Sequence, residues 1–377
     1  MKIGILTYFG DLNCGTNLQA YATLCVIKNK YPSSQVEIIP FHGFRPRILP
    51  YKTFNLLSIM KDFNRILKYR NFKKLNLNVR ETDCVITDVK KALDYISSRS
   101  YDIIYVGADT LLELDRLPFR YDGISAYWLK DIKSKKVLLA ASSKNVLYEN
   151  LSPRQKKEME IAISQFHAVS VRDRLTYNLF LNFLPPEKIT LIVDPTINLI
   201  IDSSYADAYI SKNKIKLNLK SVLIHTFGDD IWAVDVAKYF TSLGYVVVSF
   251  RPASWADYCL NDMSPLEQLG IYKYFNFVIS HRFHDGMFSL KSNTPFMLYE
   301  KGNLYSSVSG DSKFTSLLKD FNLYPSNFIG RGDEVTAEKI LSMIDKAIAN
   351  FHTQSDYIQN QLENKRKSYL DFIDNLI

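Results

Sequence analysis

The feature that most constrains this chain is an alternation: short apolar runs, each ending at a polar loop, with helix-spaced stretches between them. Residues 3–8, 36–41, 102–106, 136–141, 168–171 and 190–193 read as strands, being short and β-rich. Residues 18–30, 153–166 and 174–181 carry helical spacing. Strands separated by helices cannot close tight hairpins. They need crossover connections, which favour a mostly parallel sheet covered on both faces. The polar stretch 202–220, rich in Ser, Asn and Lys, reads as an interdomain linker. The pattern then restarts with strands at 222–227, 245–250, 277–280 and 295–299 and helices at 231–243, 265–272 and 286–290. Gly244 follows the first of these helices, where a left-handed residue is wanted. A last helix is predicted over 355–376. The expectation is an α/β protein with domains over 1–205 and 218–350, and a C-terminal helix over 351–377 packing back across them. In such sheets ligands bind beyond the carboxyl ends of the strands, so the cleft between the domains is the expected site.

A length of 377 residues is comfortable for two domains, and 23% charged with 13% aromatic residues suits a packed globular chain. After Lys2 the apolar run is too short for an export signal, and no stretch approaches the ~20 apolar residues of a membrane span. A cytoplasmic location is expected. The four cysteines, Cys14, Cys25, Cys84 and Cys259, form no CxxC pair, which speaks against a zinc ribbon or redox motif. Cys14, in a polar loop, is either a reactive thiol or a small spacer.

The net charge of +8 suits an anionic substrate, an anionic membrane face or nucleic acid. Residues 45–80 hold ten Lys/Arg and one acid, Asp62, interleaved with Phe54, Leu56, Leu57, Ile59, Met60, Phe63, Ile66, Leu67 and Phe72 near helical spacing. Such a basic amphipathic helix either lies in a membrane interface or packs its apolar face on its own domain. No nucleic-acid motif accompanies the charge.

Three polar clusters stand at predicted strand ends. The loop after the first strand carries Asn13, Gly15, Asn17 and Gln19 and opens a helix. It is neither a GxGxxG fingerprint nor a P-loop. Ser170-Val171-Arg172-Asp173 offers a guanidinium at a strand tip, either for bidentate anion binding or for a structural pair with Asp173. Ser280-His281-Arg282-Phe283-His284-Asp285-Gly286 is the densest cluster, given six His in the chain. It can bind an anion and move protons. A metal set of His281, His284 and Asp285 is the alternative. The spacing is not that of HExxH, and Arg282 beside a cation would be unfavourable, so no metal is expected.

These clusters, in this order, resemble the polysaccharide pyruvyl transferase family. The likeness is carried by KIGILTYFGDLNCGTNLQAYA at 2–22, YVGADTLLE at 105–113, AVSVRDRLT at 168–176, VDPT at 193–196 and SHRFHDGMFSLKSNTPF at 280–296. Three places depart from the family's pattern: Phe283 stands where Leu is usual, Asp285 where Gly commonly follows the second His, and Gly107-Ala108-Asp109 differs from a more frequent Gly-Ser-Asp-Gln-type segment. The resemblance implies two Rossmann-like domains in a GT-B-like arrangement, with phosphoenolpyruvate as donor and a pyruvate ketal on a hexose as product. No cofactor beyond this co-substrate is implied. Arg172, Arg282 and His284 are the positions implied to hold the donor, and His281 is a candidate supporting group. His284, Asp285 and Asp109 are the candidate acid and bases. Asn13, Asn17 and Asp109 are candidates to hold the acceptor, a sugar expected to be galactose-containing and polyprenyl-linked at the inner membrane face. Two rival readings stand beside this one. One is a GT-B-type glycosyltransferase using a sugar nucleotide, with Glu300 on a ribose. The other is a non-catalytic membrane scaffold.

Overall fold

The structure, a computed structural model, describes residues 1–42, 56–79, 84–114, 123–144, 146–217, 220–226, 230–300, 312–330 and 333–376. The first half runs β1 (Lys2–Leu6), α1 (Cys14–Lys30), β2 (Gln35–Ile38), β3 (Phe41–His42), α2 (Leu56–Asn76), β4 (Cys84–Val85), α3 (Val89–Ser98), β5 (Ile103–Val106), β6 (Lys135–Ala141), α4 (Pro153–Ser164), β7 (Ala168–Val171), α5 (Arg174–Phe180) and β8 (Ile189–Leu191). The second runs α6 (Ser204–Lys212), β9 (Ser221–His225), α7 (Trp232–Ser242), β10 (Val246–Ser249), β11 (Tyr258–Cys259), α8 (Pro265–Gly270), β12 (Phe277–Ser280), α9 (Phe283–Lys291), β13 (Phe296–Tyr299), α10 (Lys313–Asp320), β14 (Phe328–Ile329), α11 (Ala337–Thr353) and α12 (Ser355–Asp374). Each half builds a parallel six-stranded sheet, in the orders β2-β1-β5-β6-β7-β8 and β11-β10-β9-β12-β13-β14. The short β3–β4 pair lies apart from both.

The strand sequences explain the layering. Because successive side chains point to opposite faces, a strand covered on both sides must be apolar at every position. Ile103 and Tyr105 join one apolar cluster, while Ile104 and Val106 join another on the opposite face. Val278 likewise faces inward, with Phe277 and Ile279 outward. The inner cluster is continuous from Ile3 and Ile5 of the first sheet to Leu223 and Val278 of the second. Helix α1 lies within it, buried on nearly every side, which is why its sequence lacks a polar face. Helix α12 returns to the first half, where Lys30 pairs with Asp374 at 2.8 Å and Lys135 donates to the Leu376 carbonyl at 3.0 Å.

Several expectations need correction. The stretch read as a linker holds helix α6, which packs on α8. Its Tyr209 hydroxyl donates to Asp262 at 2.5 Å, burying an aromatic side chain that a polar composition concealed. Helix α1 begins at Cys14 rather than residue 18, because its first turn is small and polar and is buried by the other half of the chain. Helix α9 begins at Phe283, so His284 and Asp285 lie in its first turn. Gly244 has the left-handed φ of 76° expected of it. Of the basic segment, residues 43–55 and 80–83 and the side chains of Leu56, Leu57 and Ile59 lie outside the described residues. Within α2, Tyr69 and Phe72 are buried, whereas Met60, Phe63, Leu67 and Leu75 are exposed, Phe63 at 58% and Leu75 at 78%. No helix among the described residues is long and apolar enough to cross a membrane.

Candidate active site

All the polar clusters fall at the carboxyl ends of the two sheets, where parallel strands hand over to loops. A cavity of about 290 Å³ opens there between the halves. Its N-terminal wall includes Asp11, Asn13, Thr16 and Asp109, and its C-terminal wall His225, His281, Arg282, His284 and Lys313.

The loop after β1 is held by amides. Gln19 donates to Thr7 Oγ1 at 2.8 Å and the Tyr8 carbonyl at 3.1 Å, and accepts from the Ala108 backbone N–H at 3.1 Å, tying the loops after β1 and β5 together. Asn17 donates to the carbonyls of Asp11 at 2.7 Å and Asn13 at 2.8 Å. Asn17 is fully buried and does not line the cavity, so its expected acceptor contact is replaced by a loop-shaping role. Asn13, the extended N-cap of α1, does line it. Asp109 accepts from Thr16 Oγ1 at 3.2 Å and from the Thr110 N–H at 2.8 Å. Burial works against its charge, but Arg172, Lys313 and His284 hold its carboxyl below the usual range.

Arg172 stands at the tip of β7 as expected, yet it is not among the residues lining the cavity. Its side chain is 1% exposed, with Nη1 2.5 Å from Asp194 Oδ2 and Nη2 3.4 Å from Asp109 Oδ1. Two carboxylates balance its charge, and the guanidinium holds those acids in place, while its buried Nε has no hydrogen-bond partner among the described residues. Its guanidinium lies 5.5 Å from the centre of the Phe283 ring, a cation–π contact between the two halves. Asp173 caps α5, accepting from the Thr176 N–H at 2.8 Å, rather than pairing with Arg172. Asp194 also lies 3.6 Å from His284 Nε2, an ion pair whenever that ring is protonated. Burial opposes the Asp194 charge, but His284 and Arg172 hold it well below the usual carboxylate range.

His284 lies against the first turn of α1. A Cβ on Gly15 would stand 2.0 Å from His284 Nδ1, so only glycine admits the ring there. Arg282, the N-cap of α9, lines the cavity, and its side chain forms no ion pair among the described residues. Asp285 does not present a free carboxylate. It is 2% exposed and accepts three hydrogen bonds of 2.6 Å, from His225 Nδ1, Ser280 Oγ and Tyr272 Oη. Burial raises its pKa, but His225 and these donors bring it down to about 2. The expectation of Asp285 as a base is therefore corrected: it is a saturated, ionised anchor. His281 Nδ1 donates to the His225 carbonyl at 2.9 Å. Burial, then His225 and Arg282, lower its imidazole to about 2, so the ring is a neutral support. Cys14 is buried and its thiol is pushed well up, first by burial and then by Asp285, which disfavours the thiolate a nucleophile would need.

Residues not anticipated also gather here. His225 ends β9 directly beside Ser280 in register, and Asp194 ends the segment after β8. Lys313 begins α10, and Arg65 of α2 reaches the cavity rim while donating to the Leu12 carbonyl at 2.6 Å. His225 was detectable as one of six His, at the end of a predicted strand, Asp194 within the VDPT element and Arg65 within the basic segment; Lys313 carried no local signal. No group of acids, His and Cys suited to a metal ion occurs among the described residues.

Two parallel sheets facing each other across this cleft define a GT-B-like two-domain protein. The fold is shared with S. aureus MnaA in its UDP co-structure (TM-score 0.53, 8% identity, covering 94% of this chain and 90% of that one). It is shared too with the UDP-GlcNAc 2-epimerases of Neisseria meningitidis, bound to UDP-GlcNAc (0.51, 8%, 100% and 99%), and Methanocaldococcus jannaschii (0.52, 11%, 95% and 99%). At such identities the likeness is one of fold. No curated protein sequence matches the chain. The chain belongs to the polysaccharide pyruvyl transferase family, whose model matches residues 13–300.

Proposed function

We propose that the protein moves the pyruvyl group of phosphoenolpyruvate onto two hydroxyls of a hexose in a surface polysaccharide or its lipid-linked precursor, forming a ketal. The observation that carries this reading is the charge layout of the cavity. Arg282, with no ion pair among the described residues, stands with His281, His284 and Lys313 on one wall, opposite Asp11, Asn13 and Asp109 on the other. A small donor with a phosphate and a carboxylate needs the first wall, and sugar hydroxyls need hydrogen-bond acceptors such as those of the second.

The chemistry balances as follows. His284, as imidazolium, protonates the donor methylene to a methyl, which makes the enol carbon electrophilic. One sugar hydroxyl adds there and gives up its proton to a base. The carbon–oxygen bond to phosphate breaks, and the second hydroxyl closes the ketal as its proton leaves with hydrogen phosphate. Asp194 stabilises the imidazolium of His284, and Arg282 neutralises the departing phosphate.

Helix α2 supports a membrane-bound acceptor. Its inner side docks beside the cleft through Arg65, through Lys68, 2.8 Å from Glu267, and through Lys61, which donates to the Cys259 carbonyl at 3.1 Å. Its outer side presents Met60, Phe63 and Leu67, followed by Arg70 and Lys74, all exposed. Apolar residues flanked by cations are what an anionic bilayer surface takes. A second reading, a sugar-nucleotide donor, is favoured by Glu300 at the end of β13 in the cavity wall and by the UDP and UDP-GlcNAc held by the fold relatives.

The test is incubation with phosphoenolpyruvate and a model galactoside, followed by mass spectrometry and phosphate assay. A ketal product with one phosphate released per transfer is expected. Thermal stabilisation by sugar nucleotides but not by phosphoenolpyruvate, with no ketal, would hand the site to the second reading.

A further inference from the structure

The proposed reaction needs a base for the acceptor hydroxyl, and of the two acids expected to serve, Asp285 is saturated by three donors. Burial works against the charge of the other, Asp109, but Arg172, Lys313 and His284 hold its carboxyl below the usual range and make it a weaker base. The three bonds to Asp285 prepare another group. The carboxylate can only accept, so His225 Nδ1 must carry the hydrogen of its 2.6 Å bond, and the ring's lone pair then sits on Nε2. His225 lines the cavity. Its ring is wedged edge-on between Phe250 (centroids 5.4 Å apart) and His281 (5.2 Å), which fixes its plane. Its backbone is pinned in turn, since its carbonyl accepts from His281 Nδ1.

The local sequence produces this arrangement. His225 and Ser280 are register partners across β9 and β12, and Asp285 comes in the first turn of the helix that follows β12. That turn swings the carboxylate over both strand ends. The helix N-terminus favours its negative charge. The Arg282 N–H donates to Ser280 Oγ at 2.9 Å, leaving the Ser280 hydrogen for Asp285 and extending one chain of bonds from the loop to the imidazole.

Resting on the proposed transferase reading, we infer that His225, oriented by Asp285, takes the proton of the attacking acceptor hydroxyl on Nε2. The O–H bond of the sugar breaks as its oxygen bonds to the enol carbon. His225 ends as an imidazolium paired with Asp285 and returns its proton to solvent after release. His284 supplies the separate proton that makes the methyl group, so the two histidines divide acid and base between them. The groups facing His225 are Asp285 and Arg282 from α9, Arg251 after β10, His281 after β12, Tyr272 before β12, and Cys14 of α1 beyond Asp285. Burial lowers the imidazole's pKa first; Asp285 opposes this, and Arg282 and Arg251 add to it, so the free ring is neutral near pH 7.

The experiment compares phosphoenolpyruvate-dependent transfer by the wild-type chain and by His225→Gln, Asp285→Asn and Arg282→Ala across pH. His225→Gln is expected to lower kcat by about 10²-fold or more, with donor KM changed less than about threefold, and to remove the acid limb of the profile. Asp285→Asn should lower kcat similarly while its folded fraction, checked by thermal unfolding, is retained; added imidazole should partly restore His225→Ala. Arg282→Ala should instead raise donor KM. A His225→Gln enzyme with wild-type kcat and an unchanged acid limb overturns the inference while leaving the transferase reading intact. So does a loss confined to donor KM. A wild-type chain that neither binds phosphoenolpyruvate nor releases phosphate from it removes the reading and this inference together.

Discussion

Replacing Gly15 by Ala tests whether His284 works from the position the fold gives it. The new Cβ would stand 2.0 Å from Nδ1, 2.4 Å from Cγ and 2.7 Å from Cε1 of His284, and such approaches do not occur between real atoms. Because the near edge includes Cγ, the ring cannot escape by turning only its tip. It must move away by roughly 1–1.5 Å, carrying Nε2 off its 3.6 Å approach to Asp194. A shift of about 1 Å at a reacting group is of the size that costs about 10²-fold in rate, or about 2.7 kcal/mol of transition-state stabilisation. Stability should respond differently. Gly15 lies in the first turn of α1, where Ala holds helical backbone better than Gly by up to about 1 kcal/mol, and this offsets part of the strain. The expectation is therefore a melting temperature near that of the wild type and a kcat lower by about 10²-fold, read as phosphate release from phosphoenolpyruvate with a galactoside acceptor. A Gly15→Ala enzyme within about twofold of wild-type kcat would refute the assignment of His284 to the reacting position.

The two arginines should part company. Arg172→Ala leaves the buried carboxylates of Asp194 and Asp109 without their cation and should destabilise the fold by about 3–5 kcal/mol, seen as a lowered urea midpoint, whereas Arg282→Ala should leave the midpoint unchanged. Equal midpoints for the two variants would contradict the placement of Arg172 as a structural cation. Stability should also fall with acid. The imidazole of His281 is lowered by burial and by neighbouring cationic groups to about 2, so the unfolded chain takes up its proton first as the pH drops below its unperturbed value. The stability present above about pH 6.5 is then lost on the way down, on the order of 1–2 kcal/mol by pH 5, and His281→Gln should flatten that slope in urea titrations. Identical slopes would show that this ring titrates normally. Finally, Phe63→Glu should abolish sedimentation with anionic phosphatidylglycerol vesicles without changing the melting temperature, and binding of the wild type should weaken as salt rises. Equal binding to neutral and anionic vesicles would remove the membrane role of α2.

Much of the architecture was legible because buried parallel strands leave a strong local trace. Runs such as Ile103–Val106 and residues 277–279 are apolar at every position, a pattern that only two-sided burial requires. Helix α6 was missed because what holds it is a distant partner: Tyr209 is buried against Asp262 of the second half, and nothing in 202–220 announces that contact. The first turn of α1 was missed for the same reason, since its polar residues are stabilised by neighbours from other loops and from α9.

The site divides along the same line. That Arg172, Asp109, His281, Arg282, His284 and Asp285 stand at strand ends follows from the order of residues along the chain, because each ends an apolar run or follows one closely. Which of them meets the cavity, and in what electrostatic state, depends on residues that folding brings together from separate elements. Arg172 turned from an open cation into a neutralised one when Asp194 and Asp109 closed on it. Asp285 turned from a base into an anchor when β9 brought His225 alongside Ser280. Residue type sets what a group can do with a proton or a charge; desolvation and the neighbours that folding assembles decide what it does.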